Sequence, residues 1–318
     1  MQLLAAPDKF RGTLTAREAA AAISAGAVRA GWTAVDLPLA DGGEGTLDVL
    51  GGGNRLTPVT GPLGEPVDAA WRLEEDQTAL IEAAQACGLS LAGGPERNDP
   101  LAATSRGVGE LIAAAVAAGA RRIVVAVGGV ASTDGGAGAT EAVPHPLLVP
   151  LEVACDVDAR FLDAAEIFAP QKGATPEQVR ILRERLGRLV VPDLPGSGAA
   201  GGLAGGLAAI GARLSSGFDL VAQRVSLDER IAEADLVVTG EGLLDATSFT
   251  GKVVGRVLER AGAAKTDTLV TAGEVAANSP IDAESLVERY GPERALAETA
   301  ECLAELVETA LAARRAGP

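Results

Sequence analysis

A short apolar run, a loop of glycines and acids, then an alanine-rich stretch with helical spacing: this order recurs along the chain. Residues 2–6 read as a strand and PDKFRGT as a loop. TAREAAAAISAGAVRAG then reads as a helix, with Thr15 and Glu18 spaced as a capping box and Gly31 at its end. Residues 34–40 read as a second strand running into ADGGEG, after which TLDVL opens another helix. Such repetition predicts an α/β fold built on parallel strands.

The middle of the chain departs from this order. Residues 56–82 alternate and are punctuated by Pro and Gly, as in antiparallel hairpins. SRGVGELIAAAVAAG then predicts a helix feeding the strand RRIVVAVGG and the loop VASTDGGAG. A strand LEVACDV, a charged helix over 176–189 and a glycine-rich loop opening a helix (195–212) follow. ADLVVTG and TLVTAGE predict two more strands around a helix at 251–262, and 294–315 predicts a closing helix. At 318 residues the chain exceeds the usual single core. The expectation is a discontinuous α/β domain, 1–60 plus 225–318, with a mixed α/β domain, 61–224, inserted into it.

Composition removes several classes of function. Aromatic residues are only 3% of the chain, so its core must come from Ala, Val, Leu and Ile. A net charge of −16 argues against binding nucleic acid through its phosphates, although a local basic pocket can still take a small anion. The three cysteines form no metal-binding or CxxC spacing. No run of about 18 apolar residues occurs, so no membrane association and a cytoplasmic location are expected. His145, the only histidine, lies between two prolines, reads as an exposed loop residue and leaves a Ser-His-Asp hydrolase without support.

The chemistry-bearing signal is a set of four acidic-glycine loops, each after an apolar segment: APDKFRG with Asp8, LADGGEGT with Asp41 and Glu44, ASTDGGAG with Asp134, and TGEGLLDATSFTGK with Glu241 and Asp245. One such loop alone reads as a capped strand-to-helix turn. Four together point to a ligand site outside the carboxyl ends of the strands. Carboxylates suit Mg²⁺ held together with substrate phosphates, and glycine N–H groups at helix starts suit phosphate oxygens. The complementary cations are Lys9, Arg11, Lys172 and Lys252, each of which alone reads as a surface charge. GSGAAG, Gly196–Gly201, matches a dinucleotide fingerprint in letters. Pro192–Pro195 stand where the strand should run into the first glycine, so a loop over phosphates or close helix packing fits better.

In this order the motifs resemble the glycerate kinase type-1 family. The stretches are APDKFRGTLTAREAA, LPLADGGEGT, IEAAQACGLSL, TSRGVGELI, the GG-x-A-S-T-DGGAG loop, VACDVD, FAPQKGAT, PGSGAAGGL and TGEGLLDATSFTGKVVGRV. The resemblance implies two α/β domains, one flavodoxin-like and one of restriction-enzyme-like topology, with an active site in the cleft between them. It implies ATP- and Mg²⁺-dependent phosphorylation of a small hydroxy acid, D-glycerate, to 2-phosphoglycerate. The expected polar centre is Asp8, Asp41, Asp134, Asp245 and Lys252. Lys9, Arg11 and Glu44 are expected on the substrate, Gly196, Gly198, Gly201 and Lys172 on the nucleotide, and Glu241 with Asp245 on the metal. The chain departs from the family at Lys9-Phe10-Arg11, where Ser-Phe-Lys is usual, and at Val130, where a serine is usual. It also departs at Ala159–Phe161 and in a shortened connection around 139–150. These departures leave open a diverged, non-catalytic paralogue that binds a small anionic ligand, and GSGAAG leaves open a nucleotide-dependent oxidoreductase.

Overall fold

The computed structural model describes residues 1–10 and 12–316. These residues carry eleven strands: β1 (Gln2–Ala5), β2 (Thr33–Asp36), β3 (Arg55–Thr60), β4 (Pro66–Leu73), β5 (Thr78–Glu82), β6 (Arg122–Ala126), β7 (Leu151–Ala154), β8 (Arg213–Ser215), β9 (Leu236–Leu244), β10 (Asp267–Val275) and β11 (Glu284–Ser285). The chain divides into two units, one of Met1–Asp41 with Phe218–Pro318 and the other of Gly42–Gly217. Each has its own sheet.

The sheet of the first unit is wholly parallel, in the order β11-β10-β9-β1-β2. Counted within the unit, this is the 2-1-3-4-5 order of flavodoxin-like folds. The helix Ala16–Arg29 starts on the capping box expected from Thr15 and Glu18, both halves of which are made. Such a cap is worth about 1 kcal/mol. Its buried face, Ala19, Ala20, Ile23 and Ala27, packs with Leu3, Leu236, Val238, Leu303 and Val307 into one core. A Cβ on Gly26 would overlap the Ala304 carbonyl, so this glycine lets Ala16–Arg29 and Thr299–Ala316 pack backbone to backbone. The tail expected as one helix over 294–315 is two, Pro292–Ala297 and Thr299–Ala316, broken at Glu298 (φ −126°, ψ 37°).

In the second unit the order is β3-β4-β5-β6-β7-β8. β3, β4 and β5 are antiparallel and β5 to β8 parallel, the mixed sheet that the hairpin pattern predicts. β5 is buried along its whole length and β6 from Ile123 on, as strands covered on both faces must be. Trp71, Ile81, Val108, Leu111, Ile112, Ile123 and Val153 form the centre of its core. His145 is exposed, its Nε2 3.0 Å from the Thr140 carbonyl oxygen.

Candidate functional site

In a 2-1-3-4-5 sheet, the crevice opens outside the carboxyl ends of the first and third strands. Here those are β1 and β9. Past β1 the chain stays alongside β9: the Ala6 N–H donates to the Val238 carbonyl at 2.8 Å and the Asp8 N–H to that of Gly240 at 2.9 Å. That pairing delivers Asp8 to the crevice, only 9% exposed. Past β2 the chain likewise follows β1, with Leu39 N–H donating to the Pro7 carbonyl at 3.0 Å, and so brings Asp41 in beside Asp8. Glu241 comes from β9 itself. The expectation of a loop there is corrected, because β9 continues to Leu244 and pairs with β10 through Glu241–Ala272 and Leu244–Val275. Gly240 sits against the Thr271 carbonyl, where no Cβ would fit.

Three carboxylates therefore converge in a desolvated place. Burial, followed by the charge of Asp41, pushes the Asp8 carboxyl from 3.8 up to about 7, while Lys9 pulls it down and Glu241 pushes it up. Asp8 Oδ1 also accepts the Lys9 N–H at 2.7 Å. Burial likewise raises Glu241, opposed by a hydrogen bond from Ser248 and the charge of Lys252, and reinforced by Asp245 and Asp41. Glu241 Oε1 is buried and has no hydrogen-bond partner. A buried polar atom without a partner is rare in a folded chain, and here it lies within a cluster of like charge.

The turn Ala246–Phe249 joins Asp245 and Lys252 to this group. Asp245 caps it, Oδ1 accepting from Thr247 N–H and Oγ1 at 2.7 Å each; the Thr247 hydroxyl holds the carboxyl below its usual range. The Lys252 ammonium donates to Thr247 Oγ1 at 2.9 Å. Lys252 is itself the N-cap of the helix Val253–Ala264, so its charge stands beside a helix N-terminus. Of the expected residues of this unit, Asp8, Asp41, Glu241, Asp245, Lys252 and Lys9 are thus brought into one electrostatic neighbourhood. Arg11 lies outside the described residues.

In the second unit, Glu44 follows Gly43 on the loop before the short helix Thr46–Val49. The loop after β6 closes on it: a Cβ on Gly128 would stand 2.8 Å from Gly43 Cα, and one on Gly129 3.0 Å from Glu44 Oε2. The sequence reading missed Glu82, the last residue of β5. It is 2% exposed and its Oε2 accepts the N–H groups of Gly45 at 3.1 Å and Leu47 at 3.0 Å, fixing the Glu44 loop from below. The available signal is an acid ending an otherwise apolar strand.

Asp134 is a hub for its own loop. Oδ2 accepts from Ser105 N–H (2.9 Å), Ser105 Oγ (2.8 Å) and Gly138 N–H (3.2 Å), and Oδ1 from Gly136 N–H (3.1 Å). Val130 is 3% exposed and belongs to the core, so the valine at this position is a packing residue. Lys172 is 3% exposed and its ammonium donates to the Ser132 carbonyl at 2.5 Å and to Thr133 Oγ1 at 3.3 Å. Gly198 and Gly201 lie against the Arg160 and Ser132 carbonyls, and a Cβ on Gly196 would stand 3.2 Å from Cys155 Sγ. Close packing against the unit's own backbone accounts for glycine at 198 and 201, and a positive φ of +83° for Gly196. Among the described residues no strand runs directly into Gly196, so the dinucleotide fingerprint lacks its required context. The altered segment Ala159–Phe161 is tied to this loop: Gly198 N–H donates to the Ala159 carbonyl and Phe161 N–H to Asp193 Oδ1.

Among the described residues no group of three or more His, Cys, Asp or Glu side chains is placed to hold a metal ion, and no helix is long and apolar enough to cross a membrane.

Comparison with known proteins matches the chain to the glycerate kinase family over residues 3–149 and 143–313. It is similar to an uncharacterized protein of Mycobacterium bovis, 43% identical over 303 residues that cover 86% of this chain and 79% of that protein. It is also similar to the glycerate 2-kinase of Escherichia coli (strain K12), 38% identical over 305 residues, 80% of each chain. A crystal structure assigned to glycerate kinase 2 of Salmonella typhimurium LT2 superposes with a TM-score of 0.78 at 32% identity, covering 100% of this chain and 99% of that one.

Proposed function

Because this chain belongs to the glycerate kinase family, we propose that it transfers the γ-phosphoryl group of ATP to the 2-hydroxyl of D-glycerate. The observation that carries the mechanism is the Asp8 carboxyl, buried at the β1/β9 crevice and pushed up to about 7. A general base works best with a pKa near the operating pH. Asp8 accepts the hydroxyl proton as the oxygen attacks phosphorus, and burial, reinforced by repulsion from Asp41 in the same crevice, sets its basicity. Lys252, beside a helix N-terminus, supplies positive charge to the phosphoryl oxygens as they gain charge. Lys9, next to the base, together with Arg11, binds the substrate carboxylate.

The donor set fits Mg²⁺. Its members are hard carboxylate oxygens, one of them the unpartnered Glu241 Oε1, and Mg²⁺ is commonly held by one or two carboxylates plus phosphates rather than an all-protein cage. Glu241, supported by Asp245, would hold it; when bound it neutralises charge on the phosphate oxygens. In the second unit we assign exposed Gly129 and its neighbour Glu44 to the ligand-facing end of the loops.

A coupled assay of ADP release with D-glycerate and Mg-ATP tests this reading. Turnover that needs both substrates is expected. A folded protein that turns over neither glycerate nor any related hydroxy acid would overturn it.

A further inference from the structure

Lysine is rarely buried without a carboxylate bonded to it, yet the Lys172 ammonium ends on a backbone carbonyl and a threonine hydroxyl. The surroundings are built around it. Gly201 has no side chain where a Cβ would stand 2.8 Å from Nζ. Gly173, φ +90°, turns the chain directly against the Pro95 carbonyl, fixing where Lys172 leaves the backbone. Asn98 Nδ2 donates to the Lys172 carbonyl at 2.9 Å and to that of Ala131 at 3.3 Å, lacing the two segments together.

Both bonds of the ammonium and one of the two Asn98 bonds end on residues 131–133. The next residues upstream, Gly128 and Gly129, meet the Gly43–Glu44 loop. The stretch between is held at Leu89 N–H to the Gly129 carbonyl and Ala131 N–H to the Cys87 carbonyl, 2.8 Å each. Downstream, the Asp134 hub closes the loop. A cation at Ser132–Thr133 therefore sits under the middle of a loop pinned at both ends.

We propose that Lys172 is a positioning residue, a buried strut that holds the Val127–Gly138 loop in the shape that presents Gly128 and Gly129 beside Glu44. It acts on turnover through that loop and touches no phosphate. The inference rests on the kinase reading for its effect on rate, and on geometry alone for its effect on the loop.

Burial lowers the ammonium to about 8; of the titratable groups facing it, Cys87 from the neighbouring helix and Asp134 from the loop, Asp134 is the one whose charge holds it up at working pH. Cys87 is itself buried and pushed up to about 12, so it remains a neutral thiol at working pH. Loss of the Lys172 proton above about pH 8 removes the charge that grips the Ser132 carbonyl.

The test compares wild type with Lys172→Met and Lys172→Arg, by steady-state kinetics and by amide hydrogen exchange of residues 127–138. Lys172→Met is expected to speed exchange of these amides at least tenfold with the rest of the unit unchanged. It should lower kcat at least thirtyfold while the KM for ATP moves less than threefold. Wild type should lose protection in this loop and rate above pH 8, and Lys172→Arg, which stays charged, should lack that alkaline loss. Should the arginine variant not fold, the pH dependence of wild-type loop exchange alone decides. A tenfold or greater rise in KM for ATP with unchanged loop exchange would overturn the proposal in favour of a phosphate contact. Unchanged exchange and kcat would overturn it outright. If wild type shows no turnover, the kinase reading falls and the exchange measurement still decides the strut.

Discussion

Replacing Asp8 by Asn should make this protein more stable and far less active. In the unfolded chain the carboxyl titrates near its ordinary 3.8, and in the fold near 7. Between those values the folded state holds a proton that the unfolded state has released, so wild-type stability falls as pH rises from about 4 to about 7 and is level above that. A displacement of this size is worth roughly 4 kcal/mol at pH 8. Asp41 and Glu241 share the same field, so removing one charge recovers only part of it; about 2–4 kcal/mol is expected. Asn keeps an oxygen able to accept the Lys9 N–H, so no bond is lost in exchange. The melting temperature at pH 8 should rise on the order of 5–10 °C, with almost no difference at pH 4. Thermal melts of both proteins at pH 4, 6 and 8 measure this directly. A gain independent of pH, or a loss at pH 8, would refute the reasoning that places a desolvated carboxylate there. The accompanying fall in kcat should be on the order of a hundredfold or more, as for loss of a general base.

Wild-type kcat/KM should climb with pH through about 7 as Asp8 loses its proton, and a profile flat from pH 6 to 8 would remove Asp8 from the base role. Gly26→Ala should cost about 1–3 kcal/mol in urea unfolding, because the added methyl meets the Ala304 backbone, which cannot yield as a side chain does; kcat of the folded enzyme should not change. Glu82→Ala should leave the Gly45 and Leu47 N–H groups without their acceptor and cost about 2–4 kcal/mol, with Glu82→Gln milder because one oxygen remains; equal losses in the two would contradict this account.

Local chemistry was readable where it is local. Thr15 and Glu18 signal their helix because both halves of the cap lie within three residues. Asp8 and Asp41 stand out because each follows an apolar strand in a parallel fold, and strand order then brings them together. In the sequence Glu241 reads as a loop residue because Gly240 and Gly242 resemble turn residues. Gly240 serves instead as a close-approach position in paired strands, where a Cβ would stand 2.2 Å from the Thr271 carbonyl oxygen. Glu82, Asp134 and Lys172 depend on partners roughly thirty to forty residues away, and no spacing in the sequence reports such pairings. The same holds for Gly196, Gly198 and Gly201, whose letters match a phosphate loop while their neighbours are the protein's own carbonyls and a thiol.

The central claim is phosphoryl transfer to the 2-hydroxyl of glycerate, and the phosphorus spectrum of the product tests it most directly. After incubation with D-glycerate and Mg-ATP, ³¹P NMR should show ADP together with a phosphate monoester coupled to the single C2 proton. A monoester coupled to the two C3 protons, or ATP left unchanged by the folded protein, would contradict it.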